Sequence, residues 1–443
     1  MSEINNTKPN QQKEPLAMYF GYFNQLLDSK IGKALNLRKL SENIVYQGAK
    51  NGMKVAGSVT KVFKNSDVKG ERLQAKVPTD LFDLSYNDEQ QMIQETLLQF
   101  ATQMRTVAQE TDDAMTVLPD IWKAFDELQL AYMQVPESMG GMIKECSTVT
   151  QMMMAETLAY GDLGQALALF SRHSVLNAIM KWGTQDQQQE LIPAFLTDTP
   201  EIATIAINEP TPLFSPFELA TTAIRNGDQY TINGVKNGVP VANKSAFILV
   251  AAQTPDNGIQ LFIIDKNTEG VTITEDRSMG LSCAELAEIQ FKNVLVDASA
   301  QLGGNEGVNY SEFVSYCKLG WCTLAVGCSQ AVLDYVIPYC NERVAFGEPI
   351  SHRQAVAFMI ADMKIEIDSM RVLTQRAVAR AEQGLSFERE AYLAHVFCGE
   401  KSMQIASNGV QLLGGHGFIR DYPVERWYRD LRAVSIELNG LHL

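Results

Sequence analysis

Nowhere in the 443 residues does an uninterrupted apolar run reach the ~18 residues that a membrane-spanning helix needs, so no such helix is expected. The opening stretch, Met1 to Gln12, is polar and lacks the apolar core of a secretory signal. Cysteine offers no framework either. The seven residues, at 146, 283, 317, 322, 328, 340 and 398, are scattered and odd in number, and none makes a CxxC pair with histidines nearby. That pattern argues against a zinc site and against a disulfide scaffold; it fits buried reduced thiols in a cytoplasmic protein. No metal is expected. Internal repeats and low-complexity blocks are absent as well.

What is present has the make-up of a globular enzyme: 46% hydrophobic and 20% charged residues, on a chain long enough for roughly three domains of ~150 residues. The net charge of −15 conceals an asymmetry. Residues 1–80 carry 13 Lys/Arg against 7 Asp/Glu, whereas the remainder carries 24 against 45. An acidic body excludes nucleic acid as the main partner. The basic leader has helical periodicity from Leu16 to Lys64, with Tyr19, Phe20, Phe23, Leu26, Leu27 and Ile31 on one stripe and Lys50, Lys54, Lys61 and Lys64 further on. Such a segment either lies on an anionic membrane surface through residues 16–64 or packs as a helical arm on its own oligomer. The localisation expected is cytoplasmic, with the inner face of a membrane as the alternative contact.

Four regions follow from the pattern: a leader and linker at 1–80, a helical domain at 81–200, a β domain at 201–305 and a helical bundle at 306–443. Helical spacing runs through 91–107, 121–130, 148–160 and 163–182. Near residue 202 the period changes to two. Strands are expected around Tyr230–Ile232, ending in an Asn233-Gly234 hairpin turn, and at 246–252, 259–265, 271–275 and 286–291. Helices return at about 310–342, 351–383, 387–413 and 422–434.

The strongest motif is Glu342-Arg343-Val344-Ala345-Phe346-Gly347-Glu348-Pro349-Ile350-Ser351-His352-Arg353-Gln354. A guanidinium forks onto a pyrophosphate, an aromatic ring packs on an adenine, and Gly-x-Pro sets the bend between two helices. Taken alone, Arg343 would be a solvated charge. A second segment, Gln411-Leu412-Leu413-Gly414-Gly415-His416-Gly417-Phe418, lets bare main chain approach a phosphate or ring. Tyr422-Pro423-Val424-Glu425-Arg426-Trp427-Tyr428-Arg429-Asp430 completes the set.

Together these segments resemble the acyl-CoA dehydrogenase family over about residues 83–443. The resemblance implies a mostly α fold with a central β domain: an N-terminal helical domain, a middle β-barrel-like domain and a C-terminal helical bundle. It implies FAD held by Arg343, Phe346, Gln354, Gln411, Gly414 and Gly415, with His416 beside the cofactor. It also implies a homo-oligomer, dimer or tetramer, in which the Arg343 segment reaches a neighbouring subunit's flavin. The expected reaction is α,β-dehydrogenation of an acyl-CoA thioester in fatty acid metabolism, with electrons passed to an electron-transfer flavoprotein. Lys318 falls where the family has an arginine beside CoA.

Three departures from the family pattern stand out. Asn208-Glu209-Pro210 replaces the usual Thr-Glu-Pro. Gly238 stands where the family has tryptophan and Pro240 where it has a hydroxyl residue, so the amides of Gly238 and Val239 are the candidates for contacts near the flavin N5. The family's catalytic glutamate, eight residues beyond Asp430, would be residue 438, which here is leucine; the nearest acid is Glu437. An alternative family base, from the region of Tyr316-Cys317-Lys318, has no acid to use. Two readings follow: Glu437 is the base, or the chain is a flavin-binding, catalytically silent homologue serving as a structural or acyl-CoA-binding subunit.

Overall fold

The computed structural model describes residue 82 and residues 84–439; the basic leader lies outside them. Six helices open the described chain: α1 (Asp88–Thr106), α2 (Ala108–Ala114), α3 (Pro119–Glu127), α4 (Thr148–Gly161), α5 (Leu163–Trp182) and α6 (Gln185–Leu191). Capping sets several of these starts. Asn87 and Gln90 form a capping box at α1, and Thr184 and Gln187 another at α6, each satisfying two orphan N–H groups. Helix α5 is buried on most of its faces, with Leu163, Leu169, Val175, Leu176 and Ile179 fully buried. It therefore runs through the interior rather than over it.

Seven strands follow: β1 (Ala203–Ala206), β2 (Thr222–Asn226), β3 (Gln229–Val239), β4 (Phe247–Thr254), β5 (Gly258–Asp265), β6 (Val271–Glu275) and β7 (Ala287–Asp297). They form one curled sheet in the order β1-β4-β2-β3-β7-β6, with β5 on β4. The expected hairpin at Asn233-Gly234 is not there. That dipeptide sits inside β3 at a register shift against β7, where the Asn233 side chain accepts from the Asn293 amide (2.8 Å). The reversal occurs earlier, at Gly227-Asp228 between β2 and β3, where Gly227 takes a φ of +65°.

The second helical part consists of α7 (Tyr310–Glu342), a two-residue hairpin of β8 (Val344–Ala345) and β9 (Glu348–Pro349), α8 (Gln354–Glu382), α9 (Glu388–Leu413) and α10 (Val424–Leu431). By length and composition α7 could cross a membrane, but its most apolar window is 67% buried against α4, α8 and α9, as in a core helix. Between the two helical parts and the sheet lies a shared apolar layer. Val175, Leu176 and Ile179 of α5, Phe313 and Val314 of α7, Leu249 and Leu261 of the sheet, and Leu438 all belong to it. The three parts are also clipped together by charge. Arg426 and Arg429 of α10 pair with Asp162 (3.1 Å) and Asp112 (2.8 Å), and Asp430 accepts from the Leu281 amide (2.6 Å).

Candidate functional site

The layer between helices and sheet is not filled. A cavity of about 450 Å³ opens there, walled by α4, α5 and α7, floored by Thr204, Ile207, Asn208, Asn237 and Gly238, and closed at one end by Glu437 and Leu438. Alanine and glycine at 155, 166, 178 and 320 keep it wide; Phe170, Trp321 and Leu324 make much of its wall apolar. This is the shape expected of a small-molecule site: concave, mostly apolar, with few polar groups at fixed points.

One of those polar groups is Glu437. The chain reaches it through a kink in which Leu438 adopts a left-handed conformation (φ 52°) and buries its side chain, leaving the preceding carboxylate directed at the cavity. Leucine in that region is uncommon and costs energy, so the core contact of Leu438 must hold it there. Glu437 is part-exposed because the cavity reaches it. The protein packed around its carboxyl pushes its pKa up to about 8, and Asp276 adds to the rise. The Asn208 side-chain amide donates to Glu437 Oε2.

The Asn208 loop is rigidly seated. Its carbonyl accepts from the Asn237 amide (3.0 Å). Next to it, Glu209 is buried and accepts from Lys236 Nζ (2.8 Å), the Ala220 amide (2.7 Å) and the Thr221 amide (2.9 Å). Lys236 is wholly buried, and desolvation brings its pKa down to about 8 even beside Glu209. Thus the Asn-Glu-Pro and Asn-Gly-x-Lys segments form one unit whose polar outer surface floors the cavity.

Two further stretches gather elsewhere, at the C-terminal end of α7. Arg343 caps that helix and is exposed, Phe346 is 96% exposed with a φ of 55°, and Gln354 begins α8. The Gly414–Phe418 turn comes alongside: Tyr339, one turn before Arg343, bonds His416 Nδ1 (2.7 Å), and the His416 ring stacks on Tyr422. Gln411, Gly414 and Gly415 are exposed, and a Cβ added at either glycine would meet nothing within 4 Å.

These residues fit the FAD implied by the resemblance in two pieces. In the cavity floor, Thr204 Oγ1, Asn208 Oδ1 and Asn237 Oδ1 are buried without a hydrogen-bond partner; the two amide oxygens can accept from N–H groups of a ring edge, and the hydroxyl can donate to a C=O. At the end of α7, an exposed guanidinium, an exposed ring and bare glycine main chain offer what a dinucleotide tail needs.

Other expected positions lie apart from the cavity wall. Lys318 of α7 is buried, with its ammonium over the rings of Tyr392 (5.2 Å) and Phe217 (6.0 Å), and burial lowers its pKa. Its neighbours Tyr316 and Cys317 do face the cavity. The Val239 side chain packs in the sheet core, while Gly238 lines the cavity and its amide donates to Asp276 Oδ2 (3.0 Å). Asn208 and Asp276 were not marked by sequence as site residues; the Asn-Glu-Pro departure was the available signal for the first, and none existed for the second. Among the described residues no group of acidic, histidine or cysteine side chains could hold a metal ion.

Comparison with known proteins agrees along the whole described chain. Residues 87–199, 204–294 and 305–438 match the N-terminal, middle and C-terminal domain models of acyl-CoA dehydrogenase. The chain is similar to a probable acyl-CoA dehydrogenase of Bacillus subtilis, 30% identical over 79% of this chain and 93% of that one. It is also similar to the acryloyl-CoA reductase (NADH) of Anaerotignum propionicum, 28% identical over 80% and 92%. Among solved structures, butyryl-CoA dehydrogenase from Megasphaera elsdenii superposes with a TM-score of 0.73 at 26% identity, covering 81% of this chain and 96% of that one.

Proposed function

Because the chain belongs to the acyl-CoA dehydrogenase family, whose members are FAD-dependent oxidoreductases of fatty acid β-oxidation, we propose that it dehydrogenates an acyl-CoA thioester across Cα–Cβ with Glu437 as the base. The observation that carries this reading is the position of Glu437: the chain end kinks at Leu438 and turns this acid into the cavity. When bound, FAD supplies the acceptor for the hydrogen that leaves Cβ with its electron pair. The protein's own part is to take the Cα proton onto Glu437 Oε, to hold the acyl chain along the apolar wall of α5 and α7, and to keep water from the reacting carbons. A base working on a weakly acidic C–H needs a raised pKa, and Glu437 has one.

Arg343, Phe346, Gln354, Gln411, Gly414 and Gly415 would hold the dinucleotide of a neighbouring subunit's cofactor. The nearly full exposure of Phe346 (96%) and of Phe418 (86%) supports coverage by a second copy, hence a homo-oligomer. Electrons would leave to an electron-transfer flavoprotein.

The test is anaerobic mixing of the purified yellow protein with acyl-CoAs of graded chain length. Bleaching of the flavin band with at least one of them is the outcome this reading requires. Silence at every length, with FAD fully loaded, would instead favour the catalytically silent subunit.

A further inference from the structure

We propose that Asn208 and Gly238 together form a seat for the acid one residue short of its family position, Asn208 as a positioning residue that aims Glu437 and Gly238 as the space that admits it. This rests on Glu437 being the base. Three features of the sequence that depart from the family pattern independently, Asn208, Gly238 and the shift from 438 to 437, meet at one point in the fold. A Cβ built at Gly238 would lie 3.3 Å from Glu437 Oε1 and 3.9 Å from Asn208 Nδ2, so a large side chain there would occupy the place the carboxylate now takes. Gly238 has a φ of +64°, which further disfavours any side chain. The Asn208 amide donates to Oε2, so the carboxyl meets both a bare main chain and a side-chain donor. Asn208 cannot swing freely, because the adjoining Glu209 is locked by Lys236 and two amides. Its Oδ1 lies buried without a partner on the cavity floor, so the same side chain has an acceptor left for the bound ligand.

Chemically, an N–H donor favours the ionised carboxylate over the neutral acid. Asp276 opposes this from the segment after β6. The other titratable groups on the cavity wall are Lys181 of α5, which is paired with Glu312 (3.0 Å), Tyr316 and Cys317 of α7, Cys146, and Glu382 of α8, which accepts from the Thr148 amide. None of these donates a hydrogen bond to Glu437 among the described contacts, which leaves Asn208 as its donor.

The experiment compares wild type, Asn208→Leu, Asn208→Asp, Asn208→Gln and Glu437→Gln as FAD-loaded enzymes. It reads the pH dependence of flavin reduction and, without substrate, the infrared band of the Glu437 carboxyl, identified by its loss in Glu437→Gln. Losing the donor should move both titrations to higher pH by about one to two units and lower the rate near pH 7 by roughly 10- to 100-fold, as for other hydrogen bonds to charged groups. Asn208→Gln, which keeps the donor, should recover part of the loss. If the leucine variant fails to fold, the near-isosteric Asn208→Asp gives the reading, with a shift at least as large because a second carboxylate adds repulsion to the lost donor. Wild-type titrations in both Leu and Asp variants, with Glu437→Gln inactive, would overturn the seat and leave the base assignment standing. Full activity in Glu437→Gln would overturn the base assignment and the seat with it.

Discussion

The proposed base, Glu437, stands one position before the family's acid, and neighbouring residues accommodate it there. Leu438 takes a conformation leucine avoids, and it buries 97% of its surface in return (3% exposed). The proposed cofactor contacts are plainer and yield a prediction of their own. Arg343 is exposed at the C-terminal end of α7 with no ion pair among the described contacts, as expected of a cation reserved for a ligand. Arg343→Ala should leave folding intact and weaken FAD retention by about 1.5–3 kcal/mol, the value of one charge-assisted bond. Flavin absorbance per chain after exhaustive dialysis reads this directly; a variant that keeps as much FAD as wild type would remove Arg343 from the cofactor site.

At the level of elements, α10 does more than its eight residues suggest. Its Arg426 and Arg429 reach Asp162 and Asp112 in the first helical part, while Asp430 receives the Leu281 amide from the segment between β6 and β7. Burial, and next to it Asp162, pushes the Asp430 pKa up to about 7. The contact is so close that a Cβ at Gly280 would lie 2.3 Å from the Arg429 carbonyl oxygen. Gly280→Ala should therefore cost about 1–3 kcal/mol, the usual penalty of overpacking, seen as a lower Tm with the flavin band shifted or lost. An unchanged Tm would mean that α10 can slide on the sheet. The sequence located the long elements well, since α5 and α7 are long, largely apolar stretches and α8 and α9 keep a helical pattern over many turns. It missed α6, whose Gln185–Leu191 sequence has no apolar stripe and depends on its Thr184 cap, and β2, three of whose five residues face solvent. The Asn233-Gly234 pair misled because a turn dipeptide also suits a strand irregularity. Within the site, motifs pointed to Glu437 and to the exposed residues at the end of α7 that are proposed to hold the cofactor. The Asn208–Glu437 contact spans 229 residues, and no local pattern encodes such a pairing.

For the whole molecule, the three domain models begin at residue 87, so the basic leader stands outside the part that resembles other family members. Deleting residues 1–78 should leave FAD content and the Tm of the remaining chain unchanged. If the leader meets anionic membranes, vesicle co-sedimentation of the full chain should fall with salt and vanish in the truncated form. Loss of flavin on truncation would instead make the leader part of the enzyme fold. The central claim, that Glu437 takes the α-proton, is tested most directly by exchange. The FAD-loaded protein is incubated anaerobically in D₂O with an acyl-CoA that bleaches its flavin, and deuterium at Cα is followed by mass spectrometry. Wild type should incorporate deuterium, faster as pH rises toward about 8 because only the ionised carboxylate accepts a proton. Glu437→Gln should bind FAD and ligand as wild type does yet exchange ~10²–10⁴-fold more slowly. Undiminished exchange in Glu437→Gln would contradict the account.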